Sequence, residues 1–239
     1  MTNGIMCPRY KEEVLKMFHE YNETFIKENE QILAYIGANT GLDFKKDPFV
    51  AFISVADCLN MQSRNGLELP EWAKDIFPYK MMPLLTDLYN RYSIGTEIQL
   101  QLGGGLVMQR VLDIFKMGKR KMYLSAGHDV TLMMLLGALG VPRPVAIPEP
   151  TGSVILELHN VSGTSIVKAY SLKSSSYNQF ETLQMSCGLN ECILSDFEVM
   201  TSNLTVSDYH RLCNEISPDF KMNISSTLVA IGGAPVPLY

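Results

Sequence analysis

His128 and Asp129 stand side by side in the run Ala126-Gly127-His128-Asp129-Val130-Thr131, and their neighbours decide what such a pair can do. Residues 121–125 are short and mostly apolar and read as a buried strand. Ala126 and Gly127 let the backbone turn closely. From Thr131 to Leu139 the chain is almost wholly apolar, and Gly140 with Pro142 stops the helix this predicts. Ligands bind beyond the carboxyl ends of strands in open α/β sheets. The free N–H groups that start a helix suit an anion. On spacing alone, His128 also reads as a hydrogen-bonded histidine at a strand end. Asp129 also reads as a helix N-cap, where Asp is favoured.

Other residues with chemical potential read as ordinary. His19 falls on the polar face of a long helix, His159 at a strand end, and His210 near a C-terminal helix; no pair has metal-ligand spacing. The five cysteines form no Cys-x-x-Cys pair. Gly103–Gly105 lacks the Lys-Ser/Thr of a phosphate loop and reads as a break before a helix. No serine nucleophile elbow is present, which argues against a serine hydrolase. Neither a metal nor a cofactor is expected.

The elements that must hold the pair follow from periodicity. Apolar residues from Val14 to Ile36 recur at helical spacing, predicting a helix over 8–37. Asp47-Pro48 starts a second, over 49–61. A third runs over 71–92, bent at Pro78 and Pro83, and a fourth over 106–116. Residues 153–159 and 165–172 read as a hairpin around 160–164. Short helices follow over 197–200 and 206–213. Periodicity is lost from Ser217, and the Gly- and Pro-rich end reads as a disordered tail.

The chain has 239 residues, 46% of them hydrophobic and 19% charged, as in globular proteins. Net charge is −5 with no basic run, which argues against nucleic acid as a partner. No apolar stretch has the length of a membrane span, and no apolar leader is visible at the N-terminus. Four cysteines would allow three pairings, and the residues alone choose none of them. Sequons at Asn22, Asn160, Asn203 and Asn223 favour a glycosylated, secreted or lysosomal protein.

Several motifs occur in a telling order. They are Cys7-Pro8-Arg9-Tyr10, Leu69-Pro70-Glu71-Trp72, Gly104-Gly105-Leu106, Ala126-Gly127-His128-Asp129 with Thr131-Leu132, and Leu136-Gly137-Ala138-Leu139-Gly140. Cys187, Cys192 and Cys213 follow them. This set resembles the C-terminal half of the histidine acid phosphatases, a branch of the histidine phosphatase superfamily that includes prostatic, lysosomal and insect venom types. The resemblance runs from about Cys7 to Cys213.

The resemblance implies an α/β fold: a histidine phosphatase-like core with an incomplete sheet and a large helical subdomain. Residues 1–215 would be the C-terminal part of that domain, with 8–100 helical, 101–215 its α/β part, and 216–239 a tail. It implies disulfides Cys7–Cys213 and Cys187–Cys192. Cys58 is left over, because Ser153 stands where the family has a cysteine partner. It implies that His128 donates hydrogen bonds to phosphate and that Asp129 protonates the leaving alcohol oxygen. The family's reaction is hydrolysis of phosphate monoesters through a phosphohistidine at acidic pH. Its nucleophile lies in an Arg-His-Gly-x-Arg-x-Pro motif, and no Arg-His-Gly occurs here. The expectation is therefore a truncated form, inactive as given, whose strand at 121–125 lacks neighbours. The alternative is a non-catalytic secreted binding protein of the same fold. The resemblance leaves a homodimer open.

Overall fold

The computed structural model describes residues 7–45, 47–174, 179–188 and 190–217. They divide into two compact units, one of 7–14 with 89–216, the other of 15–88 with Ser217.

The helical unit begins within α1 (Pro8–Glu28) and continues in α2 (Glu30–Thr40), where the sequence predicts one helix over 8–37. The break falls at Asn29 (φ −114°, ψ 14°), whose side-chain amide donates to the Phe25 carbonyl at 2.9 Å. Short polar side chains compete with the helix ladder in this way. α3 (Pro48–Arg64) starts as expected: Asp47 accepts the Val50 N–H at 3.3 Å, and Pro48 fills the first turn. The predicted helix over 71–92 is instead a 3-10 turn at Glu71–Ala73 and, later, α4 (Met81–Ile94). Pro78 has no N–H and its ring clashes in a helix interior, whereas Pro83 falls in the first turn of α4 and is tolerated. Aromatic rings bind this unit. Phe49 lies 4.6 Å from Phe18 and 5.0 Å from Phe25, centroid to centroid, and Phe52 is fully buried beside Phe25. Each fully buried Phe contributes about 1.5–3 kcal/mol.

In the other unit, Thr96 and Gln99 form a capping box at the single turn Glu97–Gln99. The chain then runs through a π-helical stretch, Leu100–Gly105, straight into α5 (Leu106–Met117). The break expected at Gly103–Gly105 does not occur. The missing side chains serve close approach instead: a Cβ on Gly104 would collide with the Met134 carbonyl, and one on Gly105 with that of Leu204.

α6 (Asp129–Ala138) is buried on nearly every side, from Val130 to Ala138, and Gly140 (φ 74°) follows it. β1 (Ser153–Val161) and β2 (Thr164–Leu172) pair antiparallel from Ser153↔Leu172 to Val161↔Thr164. The hairpin turn is only Ser162 and Gly163, both at positive φ (52° and 86°), shorter than the loop expected over 160–164. Two such residues match the strand twist. The other edge of β2 takes β3 (Glu181–Thr182) and β4 (Glu191–Ile193), both antiparallel. α7 (Leu194–Ser202) and α8 (Tyr209–Asn214) follow. The core joins Met108 and Leu112 of α5, Leu135 and Ala138 of α6, Val167 and Ala169 of β2, and Phe197 of α7.

The fold is thus mixed α/β, helix-rich first and strand-bearing later. The predicted strand over 121–125 is absent from the sheet. Met122 and Leu124 are 71% and 86% exposed, because no described strand runs alongside to take up their backbone groups. Cys7–Cys213 and Cys187–Cys192 are bonded, with Cα atoms 5.3 and 5.7 Å apart, and Cys58 is free and exposed. The expected tail lies outside the described residues beyond Ser217.

Candidate functional site

The start of α6 is built from a short residue set. Gly127 allows close packing on Thr131, whose side chain would lie 3.2 Å from an added Cβ. His128 is extended (φ −84°, ψ 165°) and occupies the N-cap position, and its carbonyl accepts the Leu132 N–H at 3.1 Å. The N-cap role expected of Asp129 therefore falls one residue earlier. Asp129 is the first helical residue, and its Oδ1 accepts the Val130 N–H at 2.7 Å. The His128 side chain makes no capping bond and is exposed, whereas Asp129 is half-buried. The N–H groups of Asp129 and Thr131 find no acceptor among the described residues. A helix start of this kind carries partial positive charge toward an incoming anion.

A tyrosine missed at the sequence level backs the pair. Tyr92, at the end of α4, is 3% exposed, and its hydroxyl is pushed up to about 12 by burial first and the Asp129 charge second. Tyr10 donates to the Tyr92 carbonyl at 2.7 Å, and the two rings meet edge to face at 6.4 Å. Burial also raises the Tyr10 hydroxyl well above the ordinary tyrosine range. Gln99 completes the support, its amide donating to the Arg91 and Tyr92 carbonyls at 3.1 and 2.8 Å. Only Gln99 carried a local signal, the Thr96-x-x-Gln99 capping box. Tyr92 is brought to Asp129 by tertiary packing alone.

The remaining candidates stay apart from this pair in the pattern of contacts. His19 is exposed, His159 pairs with Glu157 at 2.8 Å, and His210 lies against Tyr209. Asn160 and Asn203 are exposed, Asn22 is half-buried, and Asn223 lies outside the described residues. The Asn160 side chain accepts the Gly163 N–H in the hairpin turn at 3.0 Å. Among the described residues no three of His, Cys, Asp or Glu converge as metal ligands. No described helix is long and apolar enough to cross a membrane. A shallow depression along α5, lined by Arg110, Asp113, Lys116 and Met117, takes in neither His128 nor Asp129.

Comparison with known proteins gives this geometry a context. No protein-family model matches the chain. A venom acid phosphatase of Apis mellifera is 34% identical over 110 residues, covering 43% of this chain and 28% of that protein. The testicular acid phosphatase of Mus musculus is 31% identical over 146 residues, covering 56% of this chain and 34% of that protein. The Homo sapiens testicular acid phosphatase is 30% identical over 149 residues, with the same coverages. The chain is therefore similar to acid phosphatases, and it spans about a third of the length of these relatives.

Proposed function

We propose that this chain forms part of a phosphate-monoester hydrolase in which His128 binds the phosphoryl oxygens and Asp129 is the general acid. What supports the reading is that His128 and Asp129 open α6 beside unengaged first-turn N–H groups, in a chain related to acid phosphatases. The chemistry needs both residues. The imidazole N–H donates to a phosphoryl oxygen whose charge grows in the transition state. The carboxylic acid of Asp129 gives its proton to the ester oxygen as the P–O bond breaks, so that an alcohol leaves rather than an alkoxide. Tyr92 is a positioning residue: it is buried, and the Asp129 charge acts on its hydroxyl. In this reading residues 8–100 are the helical subdomain and 101–215 the α/β part of the phosphatase domain. The two disulfides support an oxidising setting, outside the cell or in a lysosome.

A second reading is a non-catalytic secreted binding protein of the same fold; the residues given hold no Arg-His-Gly nucleophile motif. Covalent phosphoryl transfer requires such a nucleophile. The chain as given is thus expected to bind phosphate without turnover. Hydrolysis of p-nitrophenyl phosphate at acid pH tests it. Activity abolished in His128→Ala would show that the chain carries a complete catalytic set and would overturn the expectation of inactivity.

A further inference from the structure

Between α5 and α6 the chain presents a cationic segment that the sequence reading passed over. Gly118, in left-handed conformation (φ 57°), stops α5, and no helix or strand resumes until Asp129. Lys119, Arg120, Lys121 and Met122 are all exposed. Among the described residues, no hydrogen bond or ion pair engages residues 119–127. Three cations in a chain of net charge −5 are too few to hold a polyanion. They are enough to fill the specificity pocket of a protease.

We propose that Lys119-Arg120-Lys121 is a processing site for a trypsin-like serine endoprotease, and that the cut yields a two-chain protein held by Cys7–Cys213. Such a protease pairs a carboxylate at the bottom of its pocket with a Lys or Arg side chain. The backbone on either side must be free of competing structure; a helix has to open locally first, and this segment has nothing to open. The step is a hydrolysis. The amide C–N bond between Arg120 and Lys121 breaks, the hydroxyl of water joins the Arg120 carbonyl carbon, and the remaining proton goes to the Lys121 amine. No electrons change hands, and the molecule gains one water.

Two features keep the nicked molecule whole. Met108 and Leu112, before the cut, share one core with Leu135, Leu139 and Val167 after it. Cys7 and Cys213 lie on opposite sides of the cut, 206 residues apart, whereas Cys187 and Cys192 lie on the same side. Cleavage also turns residues 121–128 into a free arm that leads into His128. The proposal concerns the chain as given, in which no described strand runs beside residues 121–125.

The test uses the full oxidised chain under native conditions with trypsin at a low ratio, read by intact mass and N-terminal sequencing. The first cut between Cys7 and Cys213 is expected after Lys119, Arg120 or Lys121. It should leave one species heavier by one water until a reductant separates two fragments, with an unchanged circular dichroism spectrum. The variant carrying Lys119→Gln, Arg120→Gln and Lys121→Gln should slow cutting between residues 118 and 122 by about 100-fold or more, since the pocket then meets no Lys or Arg there. A first cut elsewhere between Cys7 and Cys213, as at exposed Lys45 or Lys173, would overturn the proposal. So would resistance until global unfolding, or fragments that part without reduction. The wild-type map decides the matter even if the variant folds poorly.

Discussion

Residues 118–128 and the helix that follows them are consecutive in sequence and contain comparable apolar side chains, yet they meet opposite fates. Leu124 is 86% exposed and Met122 71%, while Met133 is fully buried and Met134 is 4% exposed. The difference lies in the backbone. α6 satisfies its own N–H and C=O groups, so its apolar surface is free to pack against the π-helical turn and α5. An extended run has no such means and needs strands on either side; without them it remains open at both edges. Apolar character alone does not bury a segment. His128 and Asp129 sit at the junction of the two regimes, with rigidity behind them and solvent in front.

The comparison is broken most severely by removing what encloses both regions. Cys7–Cys213 closes a loop of 206 residues. Cys7→Ser with Cys213→Ser is expected to cost about 5 kcal/mol on the chain-entropy account, against about 2 for the Cys187–Cys192 pair. Denaturant unfolding with and without each bridge measures this, and equal losses would show that loop length is not what matters. Next in size is the packed side. Gly104→Val drives a side chain into the Met134 carbonyl of α6 and is expected to cost about 3 kcal/mol. A neutral outcome would mean that α6 is held less closely than its burial indicates.

Alkaline pH sharpens the comparison at the junction. Tyr92 is raised from 10.0 to about 12, so the folded protein keeps a proton that the unfolded chain loses. Stability from this group is therefore complete below pH 10 and falls as pH rises toward 12, by roughly 2–3 kcal/mol. Tyr92→Phe should remove its share of that limb and leave the part due to Tyr10, and Asp129→Asn should shallow it by removing the negative charge that adds to the Tyr92 shift. A limb unchanged in both variants would separate Tyr92 from the site. The smallest effect belongs to the open segment: Leu124→Ser should change stability by no more than about 0.5 kcal/mol while lowering hydrophobic-dye binding. A large loss there would mean that Leu124 is covered in solution.

What could be read from the sequence follows the same physical division. The body of α6, the two long strands and the Asp47-Pro48 helix start are local patterns, and they appear where periodicity and capping put them. The disulfide pairs came from family resemblance, since the residues alone allow several pairings. Asn29 was missed because an apolar stripe continues across it, and only its side-chain bond to Phe25 reveals the break. Gly103–Gly105 was misread because glycine is ambiguous between a break and a close contact, and the contacts are made by Met134 and Leu204, far along the chain. The strand at 121–125 had the right composition but lacks a described neighbour. Tyr92 reaches Asp129 through tertiary packing that no spacing rule encodes.

The most direct test of the account is a titration of inorganic phosphate into the isotope-labelled chain at acid pH, followed by NMR. The account predicts saturable shifts of the His128 ring and of the Asp129 and Thr131 amides, lost in His128→Ala while the rest of the spectrum is retained. An absence of shifts at these positions, or identical shifts in His128→Ala, would contradict a phosphate site at the start of α6.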